Sequence, residues 1–219
     1  MKAILFDLDQ TLLDRTHSLK LFLIWQIQSL QLVPVSQQQR FIQRFLELDA
    51  NGSVWKDKVY QQLIAEFEIT QVSTQDLLDM YLHELNRFCV AYVGVENTIQ
   101  KIAQAGYKLG LISNGKTPFQ ERNFEALALS QYFSSIVISE AVGLRKPDSA
   151  IFELATQQLR VKPEQCIFVG DNEQADILGA QKAGMKTIFF NPDTHFHSKY
   201  ADANLHHFSD LMAVLAKII

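Results

Sequence analysis

The chain has 219 residues, with 20 Lys plus Arg against 24 Asp plus Glu and a formal net charge of -4. That length allows one large domain or a main domain with a smaller partner, and the acidic balance argues against a nucleic-acid binder, which needs a basic face. At 47% hydrophobic and 20% charged residues the composition is that of a globular protein rather than a disordered or fibrous one. The longest apolar runs fall short of the roughly 18 residues that a membrane span needs. Met1-Lys2-Ala3-Ile4-Leu5-Phe6 meets Asp7 before a signal-peptide core can form. The expectation is a cytoplasmic protein with neither nucleic acid nor membrane as a partner. Two cysteines, Cys89 and Cys166, have no metal-ligand spacing and read as buried thiols.

In chain order, the first predicted element is a strand at Ala3-Ile4-Leu5-Phe6. The stretch from Arg15 to Tyr92 then shows helical periodicity, with helices predicted at about 17–32, 36–50, 54–68 and 73–91. Ser36 and Gln39 fit a capping box for the second of these, and Asn51-Gly52-Ser53 marks the turn before the third. Beyond residue 93 apolar strands recur at Leu109–Ile112, Ser135–Ile138, Cys166–Val169 and Thr187–Phe190. Helical segments alternate with them at 96–104, 119–128, 149–159 and 173–183, with Gly106 and Gly184 as helix-ending glycines. Continuously apolar strands alternating with helices predict a doubly wound parallel α/β sheet. Residues 1–14 and 93–219 would form this core, and 15–92 an inserted all-helical cap domain.

In such a sheet ligands bind beyond the carboxyl ends of the strands. Four strand ends here carry reactive groups: Asp7, Asp9 and Thr11; Ser113 and Asn114; Gly143 to Lys146; and Asp171 with Asp176. A single strand-end aspartate is as often a turn or helix cap, but four converging sets are not explained that way. Several carboxylates in one crevice repel one another unless a hard cation such as Mg²⁺ lies among them. A carboxylate can attack phosphorus, and Thr11, Ser113, Asn114 and Lys146 supply donors for phosphoryl oxygens. The chemistry suggested is phosphoryl transfer.

Asp7-Leu8-Asp9-Gln10-Thr11 resembles the first motif of the haloacid dehalogenase superfamily, and the others follow in order: Ser113, Lys146 before Pro147, and Gly170-Asp171 through Asp176 as GDxxxxD. The resemblance implies Asp7 as nucleophile and Asp9 as general acid and then base. It implies Thr11, Ser113, Asn114 and Lys146 as the phosphate-binding set. It puts Mg²⁺ on the Asp7 carboxylate, the Asp9 carbonyl and Asp171, with Asp176 orienting Lys146 or a metal-bound water. The helical insertion stands where one branch carries a cap that would close over a small substrate, with a specificity loop at Asn51 to Trp55. Asp9 favours a phosphatase, because the dehalogenase branch lacks an aspartate there. The expected function is a Mg²⁺-dependent phosphatase of a small phosphorylated metabolite. A mutase, a dehalogenase or a catalytically silent binding protein on the same fold are the alternatives.

Competing signals are weaker. Gly110 to Thr117 satisfies GxxxxGK[ST], yet its first glycine would lie inside a strand rather than after it. His195, His197, His206 and His207 fall beyond the last predicted strand, in no zinc-binding pattern. In the cap, Phe22, Trp25, Trp55 and Tyr60 read as helix packing before substrate stacking, and Arg44, Lys56, Lys58 and Arg87 as solvated helix faces.

Overall fold

In the computed structural model, which describes residues 1–218, the chain divides into two compact units. One consists of Met1–Asp14 with Ala91–Ile219, the other of Arg15–Val90. No helix among the described residues is long and apolar enough to cross a membrane.

The second unit is helical: α1 (Arg15–Leu30), α2 (Gln38–Asp49), α3 (Lys56–Glu66) and α4 (Thr74–Glu84). Aromatic side chains spaced for one helix face meet edge-on between helices, Phe45 against Tyr60 at 5.5 Å and Phe22 against Tyr81 at 5.9 Å. The capping box expected at Ser36 does not form. Pro34 leads directly into a 3₁₀ turn over Val35–Gln37, so Ser36 lies inside a turn and α2 starts from Gln37 without a side-chain cap. The reciprocal box instead starts α4, where Ser73 Oγ accepts from Asp76 N at 3.2 Å and Ser73 N donates to Asp76 Oδ2 at 2.9 Å.

A buried ion cluster holds α1, α2 and the turn before α3 together. Arg15 donates to both oxygens of Asp49, at 2.7 and 2.9 Å, and Gly52 N adds a bond to Oδ2 at 2.8 Å. Lys56 forms an ion pair with the same carboxylate and donates to Val54 O at 2.8 Å. At 2% exposure Lys56 is not the solvated side chain its sequence context suggested. Its charge is buried because Asp49, itself 1% exposed, neutralises it.

In the first unit β1 (Ala3–Phe6), β2 (Lys108–Ser113), β3 (Phe133–Ile138), β4 (Cys166–Gly170), β5 (Lys186–Phe190) and β6 (Ala203–Leu205) form one parallel sheet in the order β3-β2-β1-β4-β5-β6. Every residue of β1 and β4 is buried, which is why these strands read as unbroken apolar runs. Ala3 and Leu5 face a core shared with Ile151, Phe152 and Leu159. Phe6 packs against Phe133 and Phe208. The helices are α5 (Val95–Gln104), α6 (Phe119–Glu125), α7 (Ser139–Val142), α8 (Ser149–Leu159), α9 (Gly179–Lys182) and α10 (Leu211–Ile218). Ala91 and Tyr92 belong to this unit by pairing: Ala91 bridges Leu13, and Tyr92 N donates to Leu12 O at 3.1 Å.

Three expectations change here. The helix predicted at 173–183 opens as a π-helix over Glu173–Leu178, in which Asp176 N and Ile177 N both donate to Asn172 O. A sixth strand follows the fifth, and His206 and His207 come directly after it; three residues, Ala-Asn-Leu, are too few to carry a period. Cys166 is buried as expected, whereas Cys89, just past the turn that ends α4, is only half-buried.

Burial alone would raise the Asp49 carboxyl, but the hydrogen bonds and charge of Arg15, with the charge of Lys56, hold it below its ordinary 3.8. A lowered folded-state pKa means that the ionised carboxylate stabilises the fold above about pH 4, and that this contribution fades as pH falls through the folded value. Asp49→Asn therefore destabilises the protein by about 3 to 5 kcal/mol at pH 7, read by urea unfolding. The difference from wild type narrows below pH 4, and a gap constant from pH 7 to 3 is the contrary result.

Candidate active site

The sheet order places the chemistry. β1 has β2 on one side and β4 on the other, so the chain departs from β1 in opposite directions at this point. The carboxyl ends of these strands open a crevice at such a reversal. Asp7 follows β1 and is anchored by its N–H to Val169 O at 2.9 Å. Ser113 is the last residue of β2, and Asp171 follows the last residue of β4. Asp9 and Thr11 lie in a tight loop in which Thr11, Leu12 and Leu13 all donate to Leu8 O.

At the centre is the Lys146 ammonium, 2.6 Å from Asp7 Oδ1 and 2.7 Å from Asp176 Oδ1. It is 4% exposed, and Nζ also stands 5.2 Å from the Phe168 ring centroid. Asp176 Oδ2 accepts from Asn172 N at 3.0 Å, so both carboxylate oxygens have assigned work. Asn114 clamps the Lys146 main chain from both sides: its Nδ2 donates to Lys146 O, and its Oδ1 accepts from Lys146 N, each at 3.0 Å. The Asn114 side chain, expected among the phosphate donors, is thereby committed to Lys146, which leaves only its backbone for that task.

Asp7, Asp171 and Asp176 each place a carboxylate oxygen within 4.8 Å of the others. Burial foremost pushes Asp7 up to about 7, with the Asp176 charge adding and Lys146 opposing. Burial, then the charges of Asp7 and Asp176, raise Asp171 well above the ordinary carboxylate range. For Lys146 burial acts downward, but the charges of Asp176 and Asp7 outweigh it and raise the ammonium. Three carboxylates around one ammonium are under-neutralised, and a donor set made only of oxygens matches a hard divalent cation such as Mg²⁺. Thr11 Oγ1 is fully buried without a hydrogen-bond partner, a donor held ready for an oxygen ligand.

The sequence reading missed one residue of this site. Gln120 in α6 is 3% exposed, and its Nε2 donates to Asp9 Oδ2 at 2.7 Å and to Ser113 Oγ at 2.8 Å. A glutamine seven positions beyond a strand end carries no motif. The available signal was Gly115, whose lack of a side chain makes room for it: a Cβ there would stand 2.5 Å from Gln120 Cγ.

The competing readings separate cleanly. Gly110 lies within β2, where a Cβ would press on Leu5 and Leu159 at 3.2 Å, so the GxxxxGK[ST] match marks strand packing and no phosphate loop. His195 pairs with Asp193, and His206 Nδ1 lies 2.7 Å from Asn191 O; the only carboxylate, histidine and cysteine cluster with metal-binding spacing among the described residues is the aspartate one. In the helical unit Tyr60 donates to Gln26 Oε1 at 3.0 Å, and Trp25 packs on Phe88 at 5.3 Å under Arg87. Arg44 pairs with Glu66 and Glu47.

Gly170 tests the arrangement. A Cβ there would lie 2.4 Å from Asp176 Oδ2 and 2.6 Å from its Cβ, so Gly170→Ala must displace the carboxylate that holds Lys146. We expect a loss of about 1 to 3 kcal/mol in urea unfolding. A change below about 0.5 kcal/mol, the ordinary range of an inconsequential substitution, would show that Asp176 moves freely.

Comparison with known proteins agrees with this geometry. The chain matches the family described as haloacid dehalogenase-like hydrolase over residues 4–190. It is 28% identical to a glyceraldehyde 3-phosphate phosphatase of Pyrococcus furiosus, with 94% of this chain and 85% of that protein aligned. It is 27% identical to the pyrimidine 5'-nucleotidase PynA of Streptococcus pneumoniae, over all of this chain and 96% of that one. Among solved structures, the HAD-hydrolase YfnB of Bacillus subtilis, bound to magnesium, superposes with a TM-score of 0.79 at 23% identity, covering 98% of each chain. A family match across most of the chain, on a six-stranded parallel core with the motif residues gathered at one sheet end, places the protein in the haloacid dehalogenase-like hydrolase family.

Proposed function

We propose that the protein is a Mg²⁺-dependent phosphatase that hydrolyses a small phosphorylated metabolite, a phosphomonoester, through a phosphorylated Asp7. The observation that carries this reading is the Asp7 carboxylate at the end of β1, with the Lys146 ammonium 2.6 Å from one oxygen and a second aspartate two residues on. The named relatives, a glyceraldehyde 3-phosphate phosphatase and a pyrimidine 5'-nucleotidase, support both the reaction class and the size of the substrate.

In the first step an oxygen of Asp7 bonds to phosphorus as the bond from phosphorus to the ester oxygen breaks, and the Asp9 carboxyl gives its proton to that oxygen. In the second step the Asp9 carboxylate takes a proton from water, whose oxygen bonds to phosphorus as the bond from phosphorus to the Asp7 oxygen breaks and its electron pair returns to the Asp7 carboxylate. Inorganic phosphate leaves, and Asp7 and Asp9 return to their starting forms. Lys146, Thr11 Oγ1, Ser113 Oγ and the Asn114 backbone N–H hold the transferring oxygens, whose charge is what the site must stabilise. Asp7, the Asp9 carbonyl and Asp171 are the groups that would hold the cation. A bound Mg²⁺ supplies further neutralisation of phosphoryl charge. Asp176 keeps the ammonium in place and is not required to ligate. A dehalogenation would leave Asp9 without a task, because a departing halide needs no proton.

Phosphate release from a panel of phosphorylated metabolites, with Mg²⁺ or with EDTA, tests the reading. Release should require the metal and fall by several orders of magnitude in Asp7→Asn, as removal of a covalent nucleophile does elsewhere. Activity that survives in the mutant would remove Asp7 from its role. Metal-dependent transfer of phosphate between two hydroxyls of a sugar, without release, would make the protein a mutase.

A further inference from the structure

We propose that Gln120 is a positioning residue that sets the proton of Asp9 and the hydroxyl direction of Ser113, an inference that rests on the phosphatase reading above. Gln120 is held on three sides. Its Nε2 reaches Asp9 Oδ2 and Ser113 Oγ, and its Oε1 accepts from Asn123 Nδ2 at 3.3 Å. Asn123 is itself 1% exposed. An ionised carboxylate only accepts hydrogen bonds, so the amide must turn its nitrogen, not its oxygen, toward Asp9. Both amide hydrogens are then committed.

Two consequences follow for the chemistry. Ser113 Oγ accepts from Gln120, so its own hydrogen is directed away from the amide and serves as a donor to a phosphoryl oxygen. Asp9 Oδ2 accepts an N–H, and in a protonated carboxyl the carbonyl oxygen is the better acceptor, so this bond favours Oδ2 as the carbonyl and Oδ1 as the oxygen that carries the transferable proton. One side chain thus fixes which atom of the acid delivers the proton and which way the phosphate-binding hydroxyl points. Its own place depends on Gly115, since any Cβ there would stand 2.5 Å from its Cγ and 3.1 Å from Nε2. A buried glutamine that merely filled space would not need both hydrogens shared between two groups of different function.

The test exploits the leaving group. An aryl phosphate such as 4-nitrophenyl phosphate departs as a stable phenolate and needs little help from an acid, whereas an alkyl phosphate does need it. Gln120→Met keeps length and burial but has no N–H. In the Mg²⁺-loaded enzyme, kcat/KM, which reports the step that phosphorylates Asp7, is measured for 4-nitrophenyl phosphate and for the alkyl ester that wild type cleaves fastest in the metabolite panel. The expected result is a loss of a few-fold on the aryl ester, through Ser113, and a loss at least about tenfold larger on the alkyl ester, within the range that general acid catalysis contributes. Equal losses on the two esters, or no loss on either, overturn the inference while leaving the phosphatase reading in place. Failure of wild type to release phosphate from either ester overturns both. Should Gln120→Met not fold, Gly115→Ala displaces the same amide without altering its chemistry, and the same inequality between esters is expected of it.

Discussion

The structure of the first unit depends on one constraint, an ammonium buried between carboxylates. Removing Lys146, Asp7 and Asp176 from water is costly, and their attraction offsets that cost only if the geometry is held closely. Much of the surrounding sequence serves that end. Asn114 fixes the Lys146 main chain through two reciprocal bonds. Gly170 lacks the side chain that would strike Asp176, and at Gly179, the start of α9, a Cβ would stand only 3.0 Å from Pro147 Cα. The π-helical turn after β4 aims Asp176 inward, where its second oxygen accepts from Asn172 N. The same balance that holds the fold leaves surplus negative charge beside Asp7, and that surplus makes the site receptive to a cation.

The helical unit rests on the opposite arrangement, one carboxylate between two cations. Asp49 accepts from Arg15 and Gly52 and pairs with Lys56, all within a stretch whose sequence reads as surface charge and a turn. Charge in a sequence signals exposure only when no partner of opposite sign can reach it. Arg15 and Asp49 stand 34 residues apart, beyond any spacing rule for neighbours on one helix. For that reason Lys56 is misjudged from sequence, while Arg44 and Arg87, paired close to the surface with Glu66 and Glu84, are judged nearly correctly.

The architecture was legible where burial is two-sided and elements are long. β1, β2 and β4 announce themselves as apolar runs, and the helix over Ser149–Leu159 falls where the periodicity puts it. Strand-end carboxylates, Lys146 and the GDxxxxD spacing were legible because parallel topology compels them to converge. What was hidden has a common cause. β6 is three residues long, and its place comes from pairing with β5 rather than from its own propensity. Gln120 and the Asn114 clamp are polar contacts between segments whose separation in sequence carries no period, and only the folded backbone brings them together.

All eight sequence-derived site residues, and Gln120, belong to the first unit, although the helical unit interrupts that unit in sequence directly after the loop of Asp9 and Thr11. The interruption is tolerated because the chain leaves and returns at one place: Leu13 pairs with Ala91, and Leu12 accepts from Tyr92, so β1 and its loop are closed before and after the insertion. Tyr92 also donates to Gln10 Oε1 at 3.0 Å, which ties the returning chain to the residue between Asp9 and Thr11. A strand whose loop is sealed in this way keeps its register whatever is inserted. The site residues of the first unit can then keep their places whatever helices the insertion carries.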